Sequence, residues 1–144
     1  MNLYLLALTI FPSLLILWFF VKSDKFPEPK KTIILAFFLG LLLSIPAMFL
    51  NGLFEFQLED TSLATAAAGF TEEPLKFLIL YLFILKRKEF DEPMDGIVYA
   101  TCISLGFATT ENFHYVYYVF EDESLSTAII RSLTAIPLHA SCGI

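Results

Sequence analysis
The chain has 144 residues, 57% of them hydrophobic and 17% charged, with a net charge of −6. A soluble domain is nearer 45–50% apolar and about 25% charged, and here the apolar residues come in long blocks, so the composition points to an integral membrane protein. No basic stripe or glycine-rich loop suggests nucleic acid or nucleotide binding. The net charge says little about partners, because the charges lie in loops and at a few positions inside apolar runs.

Residues 3 to 21, "LYLLALTIFPSLLILWFFV", form nineteen uncharged residues, enough for a crossing of ~20 residues. A cleavable leader has a basic start and a small-residue cleavage site. Met1 and Asn2 are uncharged and Trp18, Phe19 and Phe20 are bulky, so a retained anchor is expected. A second span covers 33 to 54, with a kink at Pro46 and a close-packing face at Gly40 and Ser44. A third covers 64 to 85, a fourth 97 to 120, and a fifth 125 to 144. Pro12 and Pro137 are further kink candidates. Together these predict a single all-α, polytopic transmembrane bundle, residues 1–144, the N-terminal part of a longer domain. Cys102 and Cys142 fall in apolar segments without metal-type spacing and read as small core residues.

Lys22, Lys25, Lys30 and Lys31 follow the first span, and Lys86, Arg87 and Lys88 follow the third. The loops at 55–63 and 121–124 carry only acids: Glu55, Glu59, Asp60, Glu121, Asp122 and Glu123. Basic loops stay in the cytoplasm, which predicts an outward N-terminus and cytoplasmic loops at 22–32 and 86–96. Two crossings must then separate the basic clusters. A third helix starting after its acids would span only about 16 Å, whereas one starting at Ala64 spans about 33 Å and fits a ~30 Å hydrocarbon layer. Glu72 and Glu73 are then expected about 12 Å below the outer surface.

An acid at that depth costs a few kcal/mol and faces a polar interior. Glu72 and Lys76 are four apart and share a face, so they can pair. Glu72 and Glu73 point about 100° apart. Thr65, Ala66, Ala67, Ala68 and Gly69 would let another helix approach, and Pro74 predicts backbone irregularity at Glu73. Glu111 and Asn112 lie at about 13 Å depth on the fourth span, and His139 lies nearer the midplane on the fifth. Convergence in one layer would suit holding water or a metal ion. A desolvated carboxylate is a base near neutrality. A Glu/Glu/His set alternatively suits Zn²⁺, which lowers the pKa of bound water toward ~7. The same groups would also serve a proton or cation pathway. His114 reads as part of an aromatic belt, Asp91, Glu92 and Asp95 as helix-start caps, and Arg131 as an ion-pair or snorkelling residue without a catalytic role.

Three strings together, "EEPLK" at 72–76, "FDEPMDGIVYATCISLGFATTEN" at 90–112 and "RSLTAIPLHA" at 131–140, resemble the PrsW family of bacterial intramembrane proteases, within the CAAX-prenyl-protease-like group. "FPEP" at 26–29 extends the similarity, which runs from the first span to the last residue. The resemblance implies proteolysis of a single-pass, anti-sigma-factor-like substrate near its extracytoplasmic side. It places the catalytic groups at Glu72, Glu73, Glu111, Asn112 and His139, with Lys76 supporting them. Members of the family continue with further helices, one bearing a second histidine in an "HGxYD"-like motif. If that histidine is required, these 144 residues alone are expected to be inactive.

The expectation is thus an intramembrane endopeptidase, with membrane lipid and a single-pass membrane protein substrate as partners, using glutamate-activated or metal-bound water. Glu72 would be the general base with Glu73 sharing its work, Glu111 a ligand or hydrogen-bond partner, and Asn112 a polarising donor. Candidate metal ligands, for Zn²⁺ or another divalent ion, are Glu73, Glu111 and His139. A proton- or cation-coupled transporter and an inactive membrane scaffold are the alternatives.

Overall fold
The computed structural model describes residues 3–57 and 61–143, and their side chains except those of 54–57, 61–62 and 64–67. The acids expected to line one loop, Glu55, Glu59 and Asp60, and the small residues Thr65 to Ala67 therefore lie outside the described side chains. The described residues are mostly helical, with no strand among them. In chain order the helices are α1 (Leu3–Ser23), α2 (Lys30–Gln57), α3 (Thr61–Phe83), α4 (Pro93–His114), α5 (Ser124–Leu133) and α6 (Ala135–Cys142). A wider turn at Tyr115–Val119 extends α4, and one 3₁₀ turn, Glu121–Glu123, leads into α5. By length and composition α1 and α2 can each cross a membrane.

The helix α4 is the axis of the bundle. Residues 101 to 109 are all buried, and a helix buried on every side must be surrounded by others. It packs against α1, α2, α3 and α6. Its closest neighbour is α2, and glycines explain the approach. A Cβ on Gly40 would stand 2.0 Å from the Ile103 carbonyl oxygen, and one on Gly106 would stand 2.1 Å from that of Phe37. Only hydrogen fits between backbones so close. Elsewhere the outer faces are apolar: Trp18, Phe49, Phe70 and Leu82 are exposed.

Pro12, Pro46 and Pro74 sit inside helices that run on through them. The irregularity expected beside Glu73 does not occur: α3 is continuous from Thr61 to Phe83. Proline there removes one ladder bond without ending the helix, as membrane-type helices tolerate. At Pro137 the outcome differs. The expected fifth span is two helices, of ten and eight residues, meeting at Thr134 with φ −121° and ψ −72°. Pro137 carries no N–H and its ring crowds the carbonyl four residues back, that of Leu133, which is where α5 ends. Leu138 restarts the ladder by donating to Thr134 at 3.0 Å.

The opposite end of α4 is tied to the α1–α2 connection. The Tyr99 hydroxyl donates to Glu28 Oε2, which brings residues 24–29 beside the start of α4. The α1–α2 and α3–α4 connections, with their seven lysines and arginines, therefore share one end of the bundle.

Candidate functional site
Glu72, Glu73 and Lys76 come from one turn of α3. Their spacing puts Glu72 and Lys76 on one face, and the face turns inward: Glu72 is 6% exposed and Lys76 5%. The Lys76 ammonium lies 2.7 Å from Glu73 Oε1 and 3.8 Å from Glu72 Oε2. It also sits 4.4 Å above the Phe107 ring of α4, where the ring's negative face favours a cation. Glu72 is held from the far side by α2. Asn51 Nδ2 donates to Glu72 Oε1 at 2.9 Å, and Thr71 Oγ1 donates to Asn51 Oδ1 at 2.7 Å.

His139, on α6, completes the cluster. Its Nδ1 is 3.0 Å from the Lys76 ammonium, and its Nε2 is 3.1 Å from Glu111 Oε2. The two contacts fix the tautomer. An ammonium can only donate, so Nδ1 presents its lone pair, and the ring proton on Nε2 goes to the Glu111 carboxylate. The same Glu111 oxygen accepts from Arg131 at 2.6 Å. Three carboxylates thus meet two permanent cations and an imidazole inside an apolar bundle. Unpaired, each buried charge would be costly; together they are mutually compensated.

Of the residues singled out from the sequence, Glu72, Glu73, Lys76, His139 and Glu111 come together. Asn112 does not. One position on from Glu111, it points about 100° away, into the α1 and α5 contacts. Its Nδ2 donates to the Thr9 carbonyl at 2.8 Å and its Oδ1 accepts from Arg131 at 3.0 Å. Fully buried and bonded on both ends, it ties α4 to α1 and α5 and lies apart from the cluster in which it was expected as a polarising donor. His114 stacks on Tyr118 at 5.8 Å, away from the cluster. Asp95 accepts the N–H groups of Asp91 and Glu92, as a helix-start residue should. Arg131, read as an ion-pair or snorkelling residue, pairs with Glu111. Asn51 was missed, though as a polar residue at the end of an apolar run it carried a signal.

Among the described residues, Glu72, Glu73 and His139 each bring one ligand atom within 4.8 Å of the others. Two carboxylates and an imidazole are a donor set that Zn²⁺ accepts, so these residues fit a divalent ion. The expected set had Glu111 in place of Glu72. Glu111 instead spends its Oε2 on Arg131 and His139, behind the ring. The Lys76 ammonium already stands among the same three residues, so it and a divalent ion would compete for one place. Beside Glu73 and Lys76 opens a cleft of about 90 Å³, floored by Ala100, Ser104, Cys142 and Gly143. It has room for water and a short side chain.

The family profile described as PrsW family intramembrane metalloprotease matches residues 28–144. Protease PrsW of Geobacillus kaustophilus is 36% identical over 129 residues, 88% of this chain and 56% of that protein. That of Bacillus subtilis is 34% identical over 139 residues, covering 94% and 62%. That of Clostridioides difficile is 34% identical over 151 residues, covering 100% and 63%. The chain therefore spans rather less than two thirds of the length of these relatives. No solved structure matches it. With a profile covering most of its length, the chain belongs to the PrsW family of intramembrane metalloproteases.

Proposed function
We propose that this chain carries the catalytic groups of a membrane-embedded endopeptidase. The observation that supports it best is the convergence of Glu72, Glu73, Lys76, His139 and Glu111 beside a cleft, within helices otherwise apolar outside. Glu72 is the general base. Asn51 fixes one of its oxygens, leaving the other toward the cluster to take a proton from water as that water attacks the peptide carbonyl carbon. The same proton then passes to the departing amine. Lys76 orients the water with the proton it does not give to Glu73 or His139, and Glu111 holds the His139 ring against that ammonium. The Lys76 ammonium sits between the two carboxylates and offsets their charge. Glu72, Glu73 and His139 are the groups that would hold a divalent ion, which when bound supplies Lewis-acid polarisation and a more acidic water.

The placement in the membrane follows from charge. Five crossings, the fifth made of α5 and α6 in series, put the N-terminus outside and the basic connections in the cytoplasm. The acids then lie in the outer half of the bilayer, which suits cleavage of a single-pass, anti-sigma-factor-like protein near its extracytoplasmic side. The test is cleavage of such a substrate by the full-length protein, set against Glu72→Ala, Glu73→Ala and His139→Ala. Loss of product in each variant is expected. Undiminished cleavage by all three overturns the assignment.

A further inference from the structure
Arg131 and His139 are eight residues apart, so on one straight helix they would stand about 12 Å apart along the axis and roughly 80° apart around it. Both nevertheless reach the same atom, Glu111 Oε2, at 2.6 and 3.1 Å. The break at Thr134 makes this possible, because α6 leaves the axis of α5 and swings His139 back toward α4. Arg131 is itself fixed on several sides. Its Nε donates to Asn112 Oδ1 at 3.0 Å, and its guanidinium carbon lies 4.2 Å from the centre of the Tyr115 ring. Asn112 in turn donates to the Thr9 carbonyl of α1. Glu111 and Asn112 lie in the last turn of α4 and Tyr115 opens the wider turn that follows, and one planar, forked cation engages all three. An ammonium is a point charge and cannot hold two such acceptors in fixed directions.

We infer that Arg131 is a positioning residue: it fixes the Glu111 carboxylate so that His139 is confined to the Nε2–H tautomer, with the Nδ1 lone pair turned toward Glu72, Glu73 and Lys76. Arg131 acts through Glu111 and touches no reacting atom. The carboxylate behind a histidine sets which ring nitrogen carries the lone pair, here the one that accepts from Lys76, and Arg131 is what sets the carboxylate. As a role in catalysis this rests on the protease reading above; as a statement about the His139 ring it does not.

The chain has two histidines, so ¹⁵N-histidine labelling of the protein in detergent micelles yields two sets of ring signals, which His114→Gln assigns. In the unmodified protein, His139 is expected to show a protonated Nε2 and an unprotonated Nδ1. In Arg131→Met the ring is expected to leave that single form, and Arg131→Lys, which keeps charge without the fork, restores it only in part. In the full-length protein both changes lower kcat for substrate cleavage about 10–100-fold, as loss of supporting shells does, with little change in KM. Placed on Glu111→Gln, Arg131→Lys adds nothing further, since the two act as one unit. The inference is overturned if His139 keeps the same tautomer in Arg131→Met, or if Arg131→Lys matches the unmodified protein in both ring signals and kcat. Should Arg131→Met lose its helical circular dichroism, Arg131→Lys decides alone. An unmodified full-length protein that cleaves nothing overturns the protease reading, while the ring signals still decide the role of Arg131.

Discussion
The bundle buries charge in two places, and it does so by opposite means. Between α3, α4 and α6, the acids Glu72, Glu73 and Glu111 are met by Lys76, Arg131 and His139. At the other end, Asp24, Glu28 and Asp95 are also buried, yet none has a basic partner within ion-pair distance among the described residues. There the acids accept from the chain's own neutral donors. Asp24 takes the Phe26 N–H at 3.0 Å, Asp95 takes those of Asp91 and Glu92 at 2.8 and 2.9 Å, and Glu28 takes the Tyr99 hydroxyl. One oxygen each of Asp24 and Asp95 has no hydrogen-bond partner at all. The contrast follows from position along the helices. The connections and the start of α4 offer N–H groups outside any helical ladder, as Phe26 gives to Asp24 and Asp91 and Glu92 give to Asp95. Mid-helix, every backbone donor is already used, and only side-chain cations remain to balance an acid.

The largest effect should come from the mid-bundle cluster through activity. Replacing Glu72 by Gln in the full-length protein keeps an acceptor for Asn51 but removes the base, and cleavage is expected to fall by about 10²–10⁴-fold. Timed cleavage of a single-pass substrate measures it. Glu28→Gln, at the other end, should leave cleavage within a few-fold of normal; equal losses would erase the distinction between the two clusters.

Next comes the cation that the mid-bundle acids depend on. Lys76→Met strands Glu72 and Glu73 without their ammonium, and removing one partner of a buried pair costs about 3–5 kcal/mol. Unfolding in mixed micelles should show that loss, and a second change, Glu73→Gln, should recover part of it. The variant also asks whether ammonium and metal share a place. If they do, Zn²⁺ stabilises Lys76→Met more than the unmodified protein. A smaller effect of Zn²⁺ in the variant would separate the two.

Between the clusters runs the α2–α4 seam, which sets how far apart they are held. A methyl at Gly40 meets backbone, the Ile103 carbonyl, at 2.0 Å, so neither side chain nor rotamer can yield. Gly40→Ala should cost roughly 1–3 kcal/mol. Gly52 lies in the same helix with nothing within 4 Å of an added Cβ, so Gly52→Ala should instead gain roughly 0.5–1 kcal/mol. Matched losses at both positions would show that helix propensity, not close approach, governs α2.

How much of this was legible in the sequence depended on the kind of force involved. Helix identity and the inward face of Glu72 and Lys76 follow from local periodicity and from the cost of charge in lipid. The small residue Gly40 likewise announces a close helix contact. Partner choice between distant elements does not follow from local pattern. Asn112 was adjacent to Glu111 and shared its depth, yet helical rotation sent it to Thr9 and Arg131. Arg131 and His139 meet on one Glu111 oxygen although α5 ends at Leu133 between them, a meeting that no count along an uninterrupted helix would have placed. Asn51 needed the α2–α3 packing angle before its amide could be assigned to Glu72.

The smallest effect sharpens the comparison from the acidic end. Burial pushes the Glu28 carboxyl above its ordinary value of 4.5; the Tyr99 hydroxyl bond opposes this, while the Asp95 bond and the charges of Asp95 and Asp24 add to it. The folded state therefore holds this proton more tightly than the unfolded chain. Stability from Glu28 is fully present below the unfolded value and declines as pH rises through the raised folded one. Glu28→Gln keeps an acceptor for Tyr99 but cannot ionise, so it should remove that decline. Unfolding midpoints from about pH 4 to pH 7, taken for both proteins, give the test as a difference curve. The unmodified protein should lose ground to Glu28→Gln as pH rises. A curve that stays flat or slopes the other way would mean that this end, like the middle of the bundle, is balanced by a cation.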